Sequence, residues 1–133
     1  MFVIQTKKII NTYVVCIVIM EDKLEGVLIE NIRSFMKSAR LVYASRDYTS
    51  AAIIYFKALF SVFDLAILRE KGFVPKDHTE RFRLLREEFL DLYAWIDRYF
   101  EIYRNSYNAK IEKEDCDTVK EYVEELIKKQ KIL

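Results

Sequence analysis

Residues 51–72, AAIIYFKALFSVFDLAILREKG, decide the fold class of this chain. As far as Leu68 they are apolar on nearly every side of a helix, and such a helix is stable only when other protein surrounds it. Gly72 then supplies a residue that readily adopts the left-handed conformation in which helices end. The stretch therefore predicts a central helix, buried either in a helical bundle or in an interface between two copies.

The composition agrees with a single, mostly helical domain. Of 133 residues, 52% are hydrophobic and 32% are charged, which is enough apolar surface for one packed core. Two glycines and one proline are too few for the closely spaced turns of a sandwich or barrel. The net charge of +1 produces no overall attraction to nucleic acid or an anionic membrane, so any such binding must come from a local patch.

The two cysteines bear on the cellular compartment. Cys16 and Cys116 do not have the spacing of metal ligands, and the chain begins without a convincing export signal. We therefore expect two free thiols in a reducing environment and a cytoplasmic protein.

The first 20 residues, MFVIQTKKIINTYVVCIVIM, differ from the rest. Residues 13–20 are apolar and rich in β-branched side chains, which favours a strand. The run is too short to span a bilayer, and no membrane partner is expected. We expect an extended N-terminal segment over residues 1–20, followed by a helical domain over residues 21–133. A lone strand needs a partner edge, which the same strand of a second copy would supply.

Three more stretches have apolar residues at the three- and four-residue spacing of a helix. They predict helices over residues 21–45, over residues 78–103 and from about residue 119 nearly to the C-terminus. Pro75 opposes helix continuation, and Asp77 is placed to cap the third helix with Glu80 at the reciprocal position. Four helices with short connections predict an antiparallel up-and-down four-helix bundle.

Lys57, Ser61 and Asp64 are the polar residues inside the apolar central helix. Their spacing places them on one face about two turns long. The stripe is either the solvated face of the helix, with a weak surface charge pattern, or one wall of a binding groove. Its position relative to Arg104 would decide between the two interpretations.

The end of the third predicted helix carries a candidate binding site. Arg104 and Asn105 follow three aromatic residues at positions 99–103, so the guanidinium emerges beside rings on which it can stack. Its N–H groups would face an anion such as a phosphate, or would pair with carboxylates at the end of a neighbouring helix. We include Tyr107 in the same candidate site.

No catalytic or metal-binding set can be assembled from the sequence. His78 is the single histidine, so neither a histidine metal site nor a histidine acid and base pair is available within one subunit. There is no glycine-rich phosphate loop, cysteine cluster or Ser/His/Asp set. We predict no catalytic residue, no metal and no cofactor.

A second basic and aromatic surface is encoded by SARLVYASRDY, residues 38–48. It places two arginines beside two tyrosines, a combination that can bind single-stranded nucleic acid. The carboxylate of Asp47 interrupts this surface with a negative charge.

Several of these features occur together in the order found in a known family. Residues 47–85, DYTSAAIIYFKALFSVFDLAILREKGFVPKDHTERFRLL, consist of a break, an aromatic-rich helix, a glycine, a PKDH turn and a new helix. This arrangement resembles the HEPN family of small prokaryotic helical-bundle proteins. The stretch YRNSYNAK, residues 103–110, followed by an acidic linker, resembles that family's third-to-fourth helix junction. The similarity covers residues 21–129.

The resemblance implies a bundle of four or five helices and a homodimer whose two junction arginines face a shared cleft. Active members are metal-independent ribonucleases, frequently toxins of toxin–antitoxin pairs encoded beside a small nucleotidyltransferase. Their motif is an arginine, a polar residue directly after it and a histidine that is separated from the arginine by four to six residues.

Only part of that motif is present. Arg104 and Asn105 match its first two elements, but residues 109–111 are Ala, Lys and Ile where the histidine should fall. Lys110 could replace it if burial lowered its pKa, or His78 could reach the cleft from its turn. Otherwise the resemblance implies a noncatalytic protein that binds a nucleotide, RNA or a partner such as a nucleotidyltransferase.

Overall fold

The protein is all-helical in a computed structural model that describes residues 2–132, with side chains from residue 11 onward. These residues form five α-helices and no strand: α1 (Phe2–Ala44), α2 (Tyr48–Lys71), α3 (His78–Glu88), α4 (Leu90–Asn105) and α5 (Lys113–Lys129). The predicted all-α class is confirmed.

The central position predicted for α2 is also found. The helix packs against α1, α3, α4 and α5, and its buried side chains lie on most sides of it. Asp47 caps its start by accepting a hydrogen bond from the Ser50 N–H (3.1 Å), and Gly72 ends it with a φ of 82°. By length and composition α2 could cross a membrane, yet 67% of its most apolar 18-residue window is buried within the fold.

The C-terminal half of α1 packs antiparallel to α2. Near one end Glu25 pairs with Arg69 (2.8 Å), and near the connection the rings of Tyr43 and Tyr48 meet edge to face (5.3 Å). The side chains of α1 buried between these points are Ile32, Met36 and Ala39. This helical hairpin supplies much of the core.

The predicted N-terminal strand is wrong. Residues 13–20 are helical and belong to α1, which runs on without a break. Extending an existing helix adds a backbone hydrogen bond for each residue without a new nucleation step, whereas a lone strand leaves its backbone unpaired. Side chains 11–20 are all exposed, and partial burial begins at Glu21.

The single helix predicted over residues 78–103 is wrong as well. The chain breaks at Phe89, with φ −133° and ψ 62°, which divides the stretch into α3 and α4. The Phe89 N–H still donates to the Leu85 carbonyl (2.8 Å), which closes the last turn of α3. The change of direction allows Leu85 before the break and Ile96 after it both to be buried. The bundle therefore contains five helices rather than the predicted four.

Of the two hydrogen bonds predicted at the start of α3, the one accepted by Asp77 is found. The Asp77 carboxylate accepts a hydrogen bond from the Glu80 N–H (2.9 Å), as a capping residue does. The Glu80 carboxylate pairs with Lys76 (3.8 Å) rather than completing the reciprocal bond.

Two contacts hold α4 and the loop after it against the rest of the bundle. Trp95 of α4 stacks on Tyr122 of α5 with ring centres 4.0 Å apart, and α5 packs against α2. In the loop between them, the Ile111 N–H donates to the Thr49 hydroxyl (2.8 Å). The end of α4, where the candidate site lies, is thus held against the start of α2.

Both cysteines are free thiols, as predicted. Cys16 is exposed on α1, and Cys116 is buried in α5. Burial raises the pKa of the Cys116 thiol to about 11.

Candidate functional site

Arg104 lies in the last turn of α4 with an exposed side chain. Its guanidinium carbon is 5.8 Å from the centre of the Phe100 ring, one turn earlier in the helix. None of the ion pairs among residues 11–132 includes Arg104. The alternative of a pairing with a neighbouring helix end is therefore not found, and the guanidinium N–H groups face solvent beside an aromatic ring.

A cleft of about 230 Å³ opens beside Arg104 between α3 and α4. Its lining residues are Phe82, Tyr93, Ile96, Asp97, Phe100 and Arg104. Phe82 and Phe100 meet edge to face with ring centres 4.9 Å apart. Asp97 and Arg104, both exposed, lie seven residues apart on α4, which is a rise of roughly 10 Å along the helix. The cleft thus combines aromatic walls with two separated charges.

Asn105 and Tyr107 belong to the turn that closes α4. The Asn105 carbonyl accepts hydrogen bonds from the N–H groups of Asn108 (3.0 Å) and Ala109 (2.8 Å), while its side chain is exposed. The Tyr107 hydroxyl lies 3.2 Å from that of Tyr103. This hydrogen bond, together with burial, raises the pKa of Tyr103 to about 12. Arg104, Asn105 and Tyr107 are thus brought together at one end of α4.

The three polar residues of α2 do not line the cleft beside Arg104. Asp64 accepts two hydrogen bonds from Arg81 of α3 (2.7 and 3.0 Å), and the two side chains are only 14% and 11% exposed. Ser61 is half-buried, and Lys57 is exposed. Asp64 therefore joins α2 to α3 through its ion pair with Arg81. Lys57 is the charged residue of the stripe that remains exposed.

Arg81, which the sequence pattern did not single out, also contacts His78. Its guanidinium lies 5.1 Å from the centre of the Phe60 ring, and its Nη1 donates to His78 Nδ1 (2.7 Å). Because a guanidinium can only donate, Nδ1 carries no proton and the neutral imidazole carries its proton on Nε2. Burial and the charge of Arg81 lower the pKa of His78, outweighing the opposite effects of Asp64 and Asp77.

An aromatic cluster connects His78 with the neighbourhood of Arg104. It comprises Phe60, His78, Phe82, Phe100 and Tyr103. The His78 ring lies 4.8 Å from Phe60, 6.1 Å from Phe100 and 6.2 Å from Tyr103. His78 and Arg104 therefore approach the same Phe100 ring.

Lys110 lies in the loop after α4, and its side chain is exposed. The burial on which its catalytic alternative depended is not found. Of the two residues considered as substitutes for the missing histidine, only His78 is placed in the aromatic cluster.

The second basic and aromatic surface gains two lysines from α5. The Lys113 and Lys120 ammonium groups lie 5.9 and 5.1 Å from the centre of the Tyr43 ring. Tyr43 and Lys113 both donate to Asp117, at 2.5 and 2.9 Å. Although burial opposes it, these hydrogen bonds lower the pKa of Asp117. The sequence could not show this cluster, because α1 and α5 meet only through packing.

Comparison with known proteins identifies no relative. No family model matches the chain, and neither a curated protein nor a solved structure matches it. Among residues 11–132, no group of three His, Cys, Asp or Glu side chains is arranged to hold a metal ion. The resemblance to HEPN proteins thus remains a prediction from the sequence.

Proposed function

We propose that this protein binds single-stranded RNA or a nucleotide without cleaving it, with Arg104 as the phosphate contact. The observation that supports the proposal is the exposed Arg104 guanidinium over the Phe100 ring, 5.8 Å from its centre, beside a cleft of about 230 Å³. A guanidinium fork matches a phosphate group, and aromatic walls suit a nucleobase because every base has a π-face. Arg104 would hold the phosphate while the base enters the cleft.

Two neighbouring residues extend this site. Asn105 and Tyr107 are exposed next to Arg104 and lie on the turn that continues from α4. An amide side chain can donate to a phosphate or a ribose hydroxyl, and an exposed tyrosine ring can stack on a further base. The proposed ligand path runs from the cleft across this turn.

The second candidate function is a metal-independent ribonuclease, and the placement of His78 in the aromatic cluster favours it. The hydrogen bonding of His78 opposes it. To act as a general base, the imidazole would have to accept a proton at Nδ1, the atom to which Arg81 donates. The resulting imidazolium would then stand beside the Arg81 guanidinium. We therefore place binding ahead of cleavage.

The binding proposal is tested by fluorescence anisotropy with labelled single-stranded RNA and with mononucleotides as competitors. The Arg104→Ala variant is compared with Arg98→Ala, a control that removes another arginine from α4. The Arg98 guanidinium carbon lies 5.2 Å from the centre of the Tyr99 ring, and Arg98 does not line the cleft. We expect Arg104→Ala to weaken binding about tenfold. The slope of the logarithm of the binding constant against the logarithm of salt concentration should become smaller by about one, as the loss of one phosphate contact requires. Equal losses in both variants, or none in Arg104→Ala, would refute the proposal.

Cleavage is tested with the same RNA in EDTA. We expect the RNA to stay intact with the native protein and with His78→Ala. If the native protein cleaved RNA and His78→Ala did not, the ribonuclease alternative would replace the binding proposal.

A further inference from the structure

We propose that the N-terminal half of α1 pairs with the same segment of a second copy in an antiparallel coiled coil. Five exposed apolar side chains of α1 follow one another at spacings of four, three, four and three residues. They form a surface that we call the seam: Tyr13, Ile17, Met20, Leu24 and Val27, which are 39–70% exposed. Alternating steps of three and four are the spacing of the apolar positions in a two-stranded coiled coil.

The seam lies on a different face of α1 from the one that packs on α2. The α1 side chains buried in the core, Ile32, Met36 and Ala39, do not continue the seam's sequence of steps. If the seam were extended by the same steps, it would pass through Asn31 and Ser34, both of which are exposed. The seam therefore runs from the exposed segment onto the outer face of the bundle, where the side chains of residues 11–132 leave it 39–70% exposed.

A cavity on the seam has the form that a partner helix needs. Its volume is about 310 Å³, and it is lined by Met20, Lys23, Leu24 and Val27. In a coiled coil, each apolar side chain inserts between four residues of the facing helix. The cavity lies between successive seam residues and would receive such a side chain.

The charges along α1 favour the antiparallel orientation. Residues 1–20 contain two lysines and no acidic residue, whereas residues 21–30 contain four acidic residues and one lysine. A parallel pair would place acidic stretch beside acidic stretch. An antiparallel pair centred between Ile17 and Met20 instead places residues 7–16 of each copy, which contain both lysines and no acidic residue, opposite residues 21–30 of the other.

A second copy explains the seam better than a lipid bilayer does. The uncharged run of residues 9–20 would extend about 18 Å as a helix, well short of the roughly 30 Å of a hydrocarbon core. Leu24 and Val27 lie beyond it, beside Lys23 and Glu25, where a bilayer would have to bury charge. A coiled coil covers both while leaving the charged neighbours in water.

Sedimentation analysis of the full chain tests the pairing. We expect the native protein to sediment as two copies of the 16.0 kDa chain. The seam variant I17E/L24E should sediment as one copy, whereas the control V15E/I19E, with the same added charge off the seam, should remain a dimer. All four positions are exposed, so circular dichroism should show native helicity in both variants. A monomeric native protein, or equal dissociation of both variants, would overturn the proposal.

Cross-linking tests the orientation in a Cys16→Ser background. An antiparallel pair brings position 13 near position 24 of the partner subunit, and two copies of position 13 are then separated by about 11 residues, roughly 16 Å. A mixture of Tyr13→Cys and Leu24→Cys chains should form a disulfide dimer, while Tyr13→Cys alone should not. Rapid cross-linking of Tyr13→Cys alone would overturn the antiparallel arrangement. A native protein that is monomeric and floats with anionic lipid vesicles would assign the segment to a bilayer instead.

Discussion

Two stretches of this chain are apolar on nearly every side of a helix, but their surroundings differ. Four other helices pack against α2, in which Phe63 is fully buried, whereas Ile17 in α1 is 46% exposed. Both patterns indicate a helix that must be covered by other protein. Such a pattern shows that a helix needs cover, but it does not show whether the same chain or another molecule supplies that cover.

The largest effect should come from opening a cavity in the enclosed helix. Phe63→Ala is expected to lower the free energy of unfolding by about 3–5 kcal/mol, because the fully buried ring leaves a cavity behind. Val15→Ala, which removes apolar atoms from an exposed position off the seam, should change it by less than about 0.5 kcal/mol. Urea denaturation measures both, and a similar loss in the two variants would contradict the contrast between the helices.

A smaller loss of stability should follow when the ion pair that joins α3 to α2 is removed. Arg81→Ala leaves Asp64 in a nearly buried position without its partner, and we expect a loss of roughly 2–3 kcal/mol. Arg83→Ala is the matched control on the same helix, because Arg83 and Glu87 are 49% and 50% exposed, and should cost at most about 0.5 kcal/mol. If denaturation gave equal losses, the Asp64–Arg81 pair would not hold α3 on α2.

The two glycines of the chain differ in the conformation and the space that their positions require. Gly72 ends α2 at a φ of 82°, and a Cβ there would lie 2.8 Å from the Glu21 carboxylate, so Gly72→Ala should cost about 1 kcal/mol. Gly26 lies inside α1 with nothing within 4 Å of an added Cβ, so Gly26→Ala should stabilise by about 0.5–1 kcal/mol. Thermal unfolding should therefore shift in opposite directions. Shifts of the same sign would contradict this account of the two positions.

The smallest effect concerns pH. The pKa of His78 is lowered in the folded protein. As the pH is reduced toward and below about 6.5, the unfolded chain therefore binds more protons at this residue than the folded protein does. Folding stability consequently falls as the pH is lowered through this range. His78→Gln removes this contribution. We expect the stability of the variant to fall less between pH 7 and pH 5 than that of the native protein. Urea titrations at the two pH values measure the difference, and a steeper fall in the variant would contradict the lowered pKa.

The parts of the fold that could be predicted are those fixed by local sequence. Burial of α2, its end at Gly72 and the cap at Asp77 follow from residues that act on their neighbours in the chain. The break at Phe89 has no proline or glycine to mark it and depends on how α3 and α4 pack. The strand predicted over residues 13–20 failed because β-branched side chains do not prevent a helix from continuing once it has formed.

The candidate site shows the same division. Arg104, Asn105 and Tyr107 could be grouped from the sequence, because they are close in the chain. Arg81 and Asp97 could not, because their roles depend on contacts between helices that no local pattern encodes.

Whereas α2 is covered by its own chain, we propose that the protruding half of α1 is covered by a second copy. Hydrogen–deuterium exchange of the full chain, measured over serial tenfold dilutions, tests it most directly. Amides of α2 should be protected at every concentration, while amides of residues 11–20 should be protected at high concentration and exchange rapidly on dilution. Rapid exchange of residues 11–20 at every concentration would contradict the account.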